Sequence, residues 1–190
     1  LLRTYLLLLT ERLNENPGLA TDEQNRYLSL LTSEINFLDR QKSAVPAIAS
    51  LEGATGHSKE LETHYPALYA AMRGIAAELL RGVVVAQVSD FDRLFDNAKT
   101  LGSGNRSLSS PEKQATIDRW MVVIANKRGV LEQTLEDVRL TDQKIFKTTV
   151  PDEANRWFTD SAKAIAAAKK QLIEITANLT ELIASMRYQD

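Results

Sequence analysis

The 190 residues include 8 Gly, 5 Pro and no Cys, with 44% hydrophobic and 25% charged side chains; Gly and Pro together usually make up about 12% of a chain, and so few turn-formers argue against many short strands. Basic and acidic residues nearly cancel, 23 against 25, which removes the electrostatic drive toward nucleic acid or an anionic membrane surface. Without cysteine there is no disulfide framework, thiolate metal site or cysteine nucleophile, and the length fits one domain, 1–190, with a substantial core.

Leu2, Leu6, Leu9 and Leu13 fall at helical spacing in a first segment that starts without a cap. The chain opens at Leu1 with neither Met nor a basic leader, as expected of an excised domain or a chain without a signal peptide. After Asn-Pro-Gly, Thr21 and Gln24 read as a capping box, so a second helix is expected from about Asp22. Its seam is Leu28, Leu31, Ile35, Leu38, Val45 and Ala49, with Lys42 in the one polar gap, and Pro46 is expected to kink or end it. Gly53 and Gly56 punctuate the chain before a third helix, which the sequence places from Thr63 to Pro66 onward. Leu68, Met72, Ile75, Leu79 and Val83 carry it to Phe91, Leu94 and Leu101. Gly74, Gly82 and the run Val83 to Val85 are poor helix formers that packing must hold.

Ser110 and Pro111 form a cap and first-turn pair for a fourth helix. Ile117, Met121, Ile124, Leu131, Leu135, Val138 and Ile145 mark its steps of four and three, with Arg128 and Asp142 in polar gaps. Thr149 to Pro151 break the chain before a last helix with the most regular seam: Phe158, Ser161, Ile165, Ala168, Leu172, Ile175, Leu179, Leu182 and Met186. Such seams pack at shallow angles. The expectation is all-α: an elongated antiparallel bundle of four long helices plus a short or truncated N-terminal helix. Two connectivities are open. If the first two helices run in the same direction, both termini meet at one end, as a domain between two membrane spans requires; if Pro17-Gly18 reverses the chain, five rods place the termini at opposite ends.

Little in the sequence points to chemistry. His57 and His64 lie in no metal-binding pattern, and Glu60 to His64 has the wrong spacing for a di-metal helix. Asp90, Asp92 and Asp96 lack the glycine and terminal glutamate of a calcium loop. Gly102-Ser103-Gly104-Asn105 follows a helix without the lysine of a phosphate loop and reads as a plain connection. Asn105-Arg-Ser and Asn178-Leu-Thr match the glycosylation pattern. No nucleophile, base and orienter constellation emerges, so neither catalysis nor a cofactor or metal site is expected. Trp120 and Trp157 read as packing residues.

The candidates for a site inside the bundle are the polar residues that interrupt the seams. Folding the helices on one another puts Lys42, Asp142 and Ser161 within about one turn along the axis, roughly 5 Å: a polar layer that fixes register or receives a polar ligand. The function expected is a non-catalytic interaction or sensing module for a protein partner or small polar ligand. In general outline it resembles the helical sensor domains of bacterial chemoreceptors and sensor kinases, a likeness of architecture that implies a place outside the cytoplasm. The alternative is a membrane-active helical toxin component, similar in kind to the all-helical pore-forming cytolysins, because the last helix is long and amphipathic. No stretch reaches the ~20 apolar residues of a spanning helix, nucleic acid is not an expected partner, and self-association stays open.

Overall fold

The computed structural model describes residues 1–104 and 110–187. Among these residues there are five α-helices and no strand: α1 (Leu2–Asn14), α2 (Thr21–Ala44), α3 (Leu51–Gly104), α4 (Pro111–Ile145) and α5 (Pro151–Arg187), with a 3-10 turn at Val45–Ala47. The fold is all-α, with four of its helices long.

Helix α3 organises the molecule. It has 54 residues, about 81 Å at 1.5 Å per residue, and it serves two apolar cores in turn. Toward its N-terminal end Leu68, Met72 and Ile75 pack with Leu6, Leu9 and Leu13 of α1 and with Tyr27 and Leu31 of α2. Toward its C-terminal end Val84, Val88, Phe91, Phe95 and Ala98 pack with the seams of α4 and α5. Between them Ala70 and Ala77 close on Ile145 and Ala154, where α4 turns into α5. From Ala70 to Gly82 the helix therefore has neighbours on most sides, and Ala70, Ala71, Gly74, Ala77 and Gly82 are all buried. Small residues let backbones approach: a Cβ on Gly74 would lie 2.5 Å from the Phe146 ring, and one on Gly82 would lie 2.3 Å from Asn16 Oδ1.

The sequence places α3 a dozen residues too late. Gly53 and Gly56 lie inside its first turns and Pro66 inside its body. Ser50 decides the start, its Oγ accepting from the Gly53 N–H at 3.1 Å; each glycine costs only about 1 kcal/mol in a helix, too little to break one so capped. Gly102, Ser103 and Gly104 form the last turn of α3 rather than a connection; Asn105, the end of that motif and the first glycosylation match, lies outside the described residues. Gly102 is buried because the Met121 and Met186 methyl groups close over it.

The capping box at Thr21 does not form: Ala20 is the cap residue, without a side-chain cap bond. Gln24 instead donates its Nε2 to the Leu13 carbonyl at 2.5 Å, which also accepts from the Asn16 N–H at 3.3 Å, and so ties α2 to the end of α1. Pro17-Gly18 reverses the chain between them, so α2 lies antiparallel to α1, as the Arg3–Asp39 ion pair of 2.8 Å shows. That reversal selects the five-helix connectivity. Leu1 lies near Met72 and Met186 near Gly102, roughly 45 Å apart along α3.

The caps of α4 and the seams of α4 and α5 lie where the sequence puts them. Ser110 Oγ accepts from the Lys113 N–H at 3.3 Å, and the buried positions of α4 are Ile117, Ile124, Leu131, Val138, Asp142 and Ile145. The seam of α2 is offset from expectation. Its buried residues are Tyr27, Leu31, Glu34, Phe37 and Gln41, so the inward face passes through Gln41 and leaves Lys42 exposed.

Two glycine substitutions separate packing from propensity. Gly82→Ala should cost about 1 to 3 kcal/mol despite its better helix propensity, because its Cβ must displace Asn16, whereas Gly129→Ala, with nothing within 4 Å, should gain about 0.5 to 1 kcal/mol. Urea denaturation of the two variants checks this; equal midpoints would mean that the turn at Gly18 does not press on α3.

Candidate functional site

Two features stand out: a polar layer through the junction and an apolar groove beside α1. The layer starts on α3. Stepping back by three and four from Phe95, Phe91, Val88 and Val84 along the inward face leads to Arg81 and Glu78, both buried. Arg81 donates Nε to Glu78 Oε2 at 2.8 Å and Nη2 to Glu23 Oε2 of α2 at 3.1 Å. Burial would lower the Arg81 pKa, but the Glu78 and Glu23 carboxylates outweigh it and the guanidinium stays charged. Tyr27, stacked on Phe146 at 5.3 Å, lies beside Glu78; burial, reinforced by that carboxylate, pushes its phenol well above the ordinary range.

Asp142 of α4 and Ser161 of α5 sit on the other side of α3 from the α2 groups. Both are buried, at 0% and 1% exposure, and neither Asp142 oxygen nor Ser161 Oγ has a hydrogen-bond partner among the described residues. Burial pushes the Asp142 carboxyl up to about 7; Ser161 pulls it down, Glu78 pushes it up and Arg81 pulls it down.

Of the three residues expected in the layer, the structure brings Asp142 and Ser161 together and leaves Lys42 out. Lys42 is exposed in the last turn of α2, fifteen residues beyond Tyr27 and so roughly 22 Å further along the axis. The expected register assumed that α2 and α4 flank the same length of α3, whereas they occupy successive halves of it. Glu23, Glu78 and Arg81 take the place assigned to Lys42. Their signal was in the sequence: Glu78 and Arg81 lie in the 3,4 series that runs back from Phe95, which a seam drawn through Leu79 and Val83 misses.

The other polar groups are committed elsewhere. Asp90 and Asp96 pair with Arg93 and Lys99 on the α3 surface, and Asp92 takes Arg128 in two bonds of 2.7 and 2.8 Å. His64 meets Glu34 at 2.6 Å and stacks on Phe37. Asn178 turns its Nδ2 into the bundle, buried and without a hydrogen-bond partner among the described residues, which makes it a poor glycosylation acceptor. Trp120 packs on the α3–α4–α5 core and Trp157 on the junction.

The groove holds about 970 Å³ and is lined by Leu1, Leu2, Tyr5, Leu8, Tyr69 and Met72 among others. Helix α1 carries two apolar stripes. Leu6, Leu9 and Leu13 are buried, while Leu1, Tyr5, Leu7 and Leu8 are exposed, and the spacing of Leu1, Tyr5 and Leu8 is that of a second packing seam. Arg73 closes one side, donating Nε to the Tyr69 hydroxyl at 3.1 Å with its guanidinium over the Phe158 ring.

The fold and these features define an all-α protein with a polar junction and an unfilled apolar seam. No protein-family model matches the chain, and neither does any curated protein or solved structure.

The Glu78–Arg81 pair predicts strong coupling. Arg81→Met alone should cost about 3 to 5 kcal/mol because it leaves the Glu78 charge buried and unpaired, while Glu78→Leu with Arg81→Met should cost less than Arg81→Met alone. Denaturation of the two single variants and the double variant tests this; additive costs would show that the two groups do not depend on each other.

Proposed function

We propose that this chain is a non-catalytic helical interaction module, and that the groove between α1 and α3 receives the apolar face of an amphipathic helix from a partner protein. One observation carries the reading: α1 repeats on its outer side, at Leu1, Tyr5 and Leu8, the spacing by which its inner side packs on α2 and α3. A seam of that period is complementary to another helix, whose side chains interleave at the same intervals. Tyr5, Tyr69 and Met72 suit such a contact, as aromatic residues and methionine are favoured where partners bury one another.

The membrane-active alternative would need α5 to leave its neighbours, because Ile165, Ile175, Leu179 and Leu182 are buried against α3 and α4. No helix among the described residues is long and apolar enough to cross a membrane. Nor does the connectivity bring Leu1 and the end of α5 to one end, so the sensor-like reading rests on the groove and not on that arrangement.

A synthetic amphipathic helix with leucine at each a and d position, followed by fluorescence anisotropy, tests the proposal against a scrambled peptide of the same composition. The heptad peptide should bind, and Leu8→Glu should weaken binding about tenfold or more, equivalent to about 1.4 kcal/mol, with unchanged far-UV circular dichroism. Equal binding of the scrambled peptide, or indifference to Leu8→Glu, overturns the reading; flotation with phosphatidylglycerol vesicles in place of peptide binding would favour the membrane-active alternative.

A further inference from the structure

We propose that Asp142 is a buried proton-binding site that sets how tightly α4 and α5 close on α3 at the junction. With the proton bound, the carboxyl group is neutral and packs there; ionised, it is a lone charge in the interior and the junction loosens.

The argument starts from the geometry. Asp142 is wholly shielded from solvent and Ser161 nearly so, yet three oxygens, both of Asp142 and the Oγ of Ser161, have no hydrogen-bond partner among the described residues. An ionised carboxylate has about four acceptor positions and no donor of its own. Arg81, the cation among the described residues that acts on Asp142, is already committed to Glu78 and Glu23. Binding a proton removes the charge that burial penalises; the Ser161 hydroxyl acts the other way, favouring the carboxylate, and burial outweighs it.

The surroundings favour the proton. Asp142 is faced from α3 by Glu78 and Arg81 and from α5 by the neutral Ser161. Glu23, Arg26 and Tyr27 of α2 interact with Glu78 and Arg81, and the Glu136–Arg139 pair of α4 lines a pocket with Arg81 and acts on the same charges. Arg26, Arg81 and Arg139 are set against Glu23, Glu78 and Glu136, which leaves no surplus positive charge at the junction to hold a further anion. Burial, the largest influence, raises the Asp142 carboxyl to about 7, inside the ordinary range of solution pH. In the unfolded chain an Asp titrates near 3.9. The stability that depends on this proton is therefore fully present below about pH 4, is lost as the pH rises through about 7, and is level above that.

The site lies where a loosening has a structural effect. Asp142 is one turn before Phe146, which seats in the hollow at Gly74 and stacks on Tyr27, so movement of the end of α4 is felt by both cores. Trp157 packs in the same junction while Trp120 packs in the distal core, giving a local reporter.

The first measurement is carbon-13 NMR of the Asp142 carboxyl in the whole chain, expected to titrate between about pH 6 and 8; a midpoint below pH 5, or titration on Glu78 instead, overturns the proposal. In a Trp120→Phe background, Trp157 fluorescence should shift over the same interval and lose that shift in Asp142→Asn, the uncharged isostere. A pH-dependent signal that survives Asp142→Asn also overturns it. Finally, the Tm of Asp142→Asn should match that of the wild type near pH 4, where the carboxyl is protonated in both the folded and the unfolded chain, and exceed it at pH 8 by about 4 °C or more, on the scale by which stability moves Tm in a chain of this size. Parallel Tm profiles from pH 5 to 8 would show that the carboxyl carries no such proton. Should Asp142→Asn fail to fold, the NMR titration of the unaltered chain still decides.

Discussion

The packing of α3 between Ala70 and Gly82 is the constraint on which the rest of the structure depends. An isolated helix buries one stripe and exposes the rest, but this stretch has α1 and α2 on one side and the α4–α5 turn on another. Close approach on several sides requires small residues, and the run supplies Ala70, Ala71, Gly74, Ala77 and Gly82. Helix propensity is given up at the two glycines, by about 1 kcal/mol each; in exchange Phe146 seats at Gly74 and the turn around Asn16 and Gly18 seats at Gly82. Asn16 completes that seat by donating to the Leu79 carbonyl at 2.9 Å.

The same crowding explains why the junction is polar. From Val84 to Ala98 the inward face of α3 is apolar and packs on the seams of α4 and α5. At the junction α3 turns Glu78 and Arg81 inward, and the ion pair with Glu23 ties α3 to α2. A buried pair of this kind adds little net stability compared with a well-packed apolar replacement; it punishes any arrangement that separates the partners. Pairing Glu23 with Arg81 fixes the register of α2 on α3. Asp142 belongs to the same level and lacks the pairing its neighbours have, which separates it chemically from them.

A division of labour follows. The distal half of α3 with α4 and α5 is a closed three-helix unit with a continuous apolar core. The proximal half with α1 and α2 is smaller and leaves one seam of α1 uncovered at Leu1, Tyr5 and Leu8. The interaction proposed for that seam and the proton site proposed at Asp142 lie in different parts of the molecule and rest on different observations. They are linked by α3, which lines the groove with Tyr69, Met72 and Arg73 and faces Asp142 with Glu78 and Arg81.

How much of this was legible in the sequence varies helix by helix. The seams of α4 and α5 were, because each packs one face against the same neighbours along its length, and a constant face leaves a constant period: Ile117, Ile124, Leu131, Val138 and Ile145, then Ser161 through Leu182. The cap at Ser110 is equally local. Asp142 and Ser161 could be singled out as breaks in those seams. The start of α3, the Gln24 bond to Leu13 and the partners of Asp142 could not. Gly53 and Gly56 read as punctuation because propensity counts their cost and not the Ser50 cap beside them. Gln24 fits a capping box as well as it fits a carbonyl on another helix, and Lys42 was given the place held by Glu78 and Arg81. The sequence by itself determined that the chain is helical and which face of each long, singly packed helix turns inward. Only the tertiary structure decided that two helical units share α3 in succession, since that depends on which helix ends lie side by side, a property of contacts distant in sequence that no local period records.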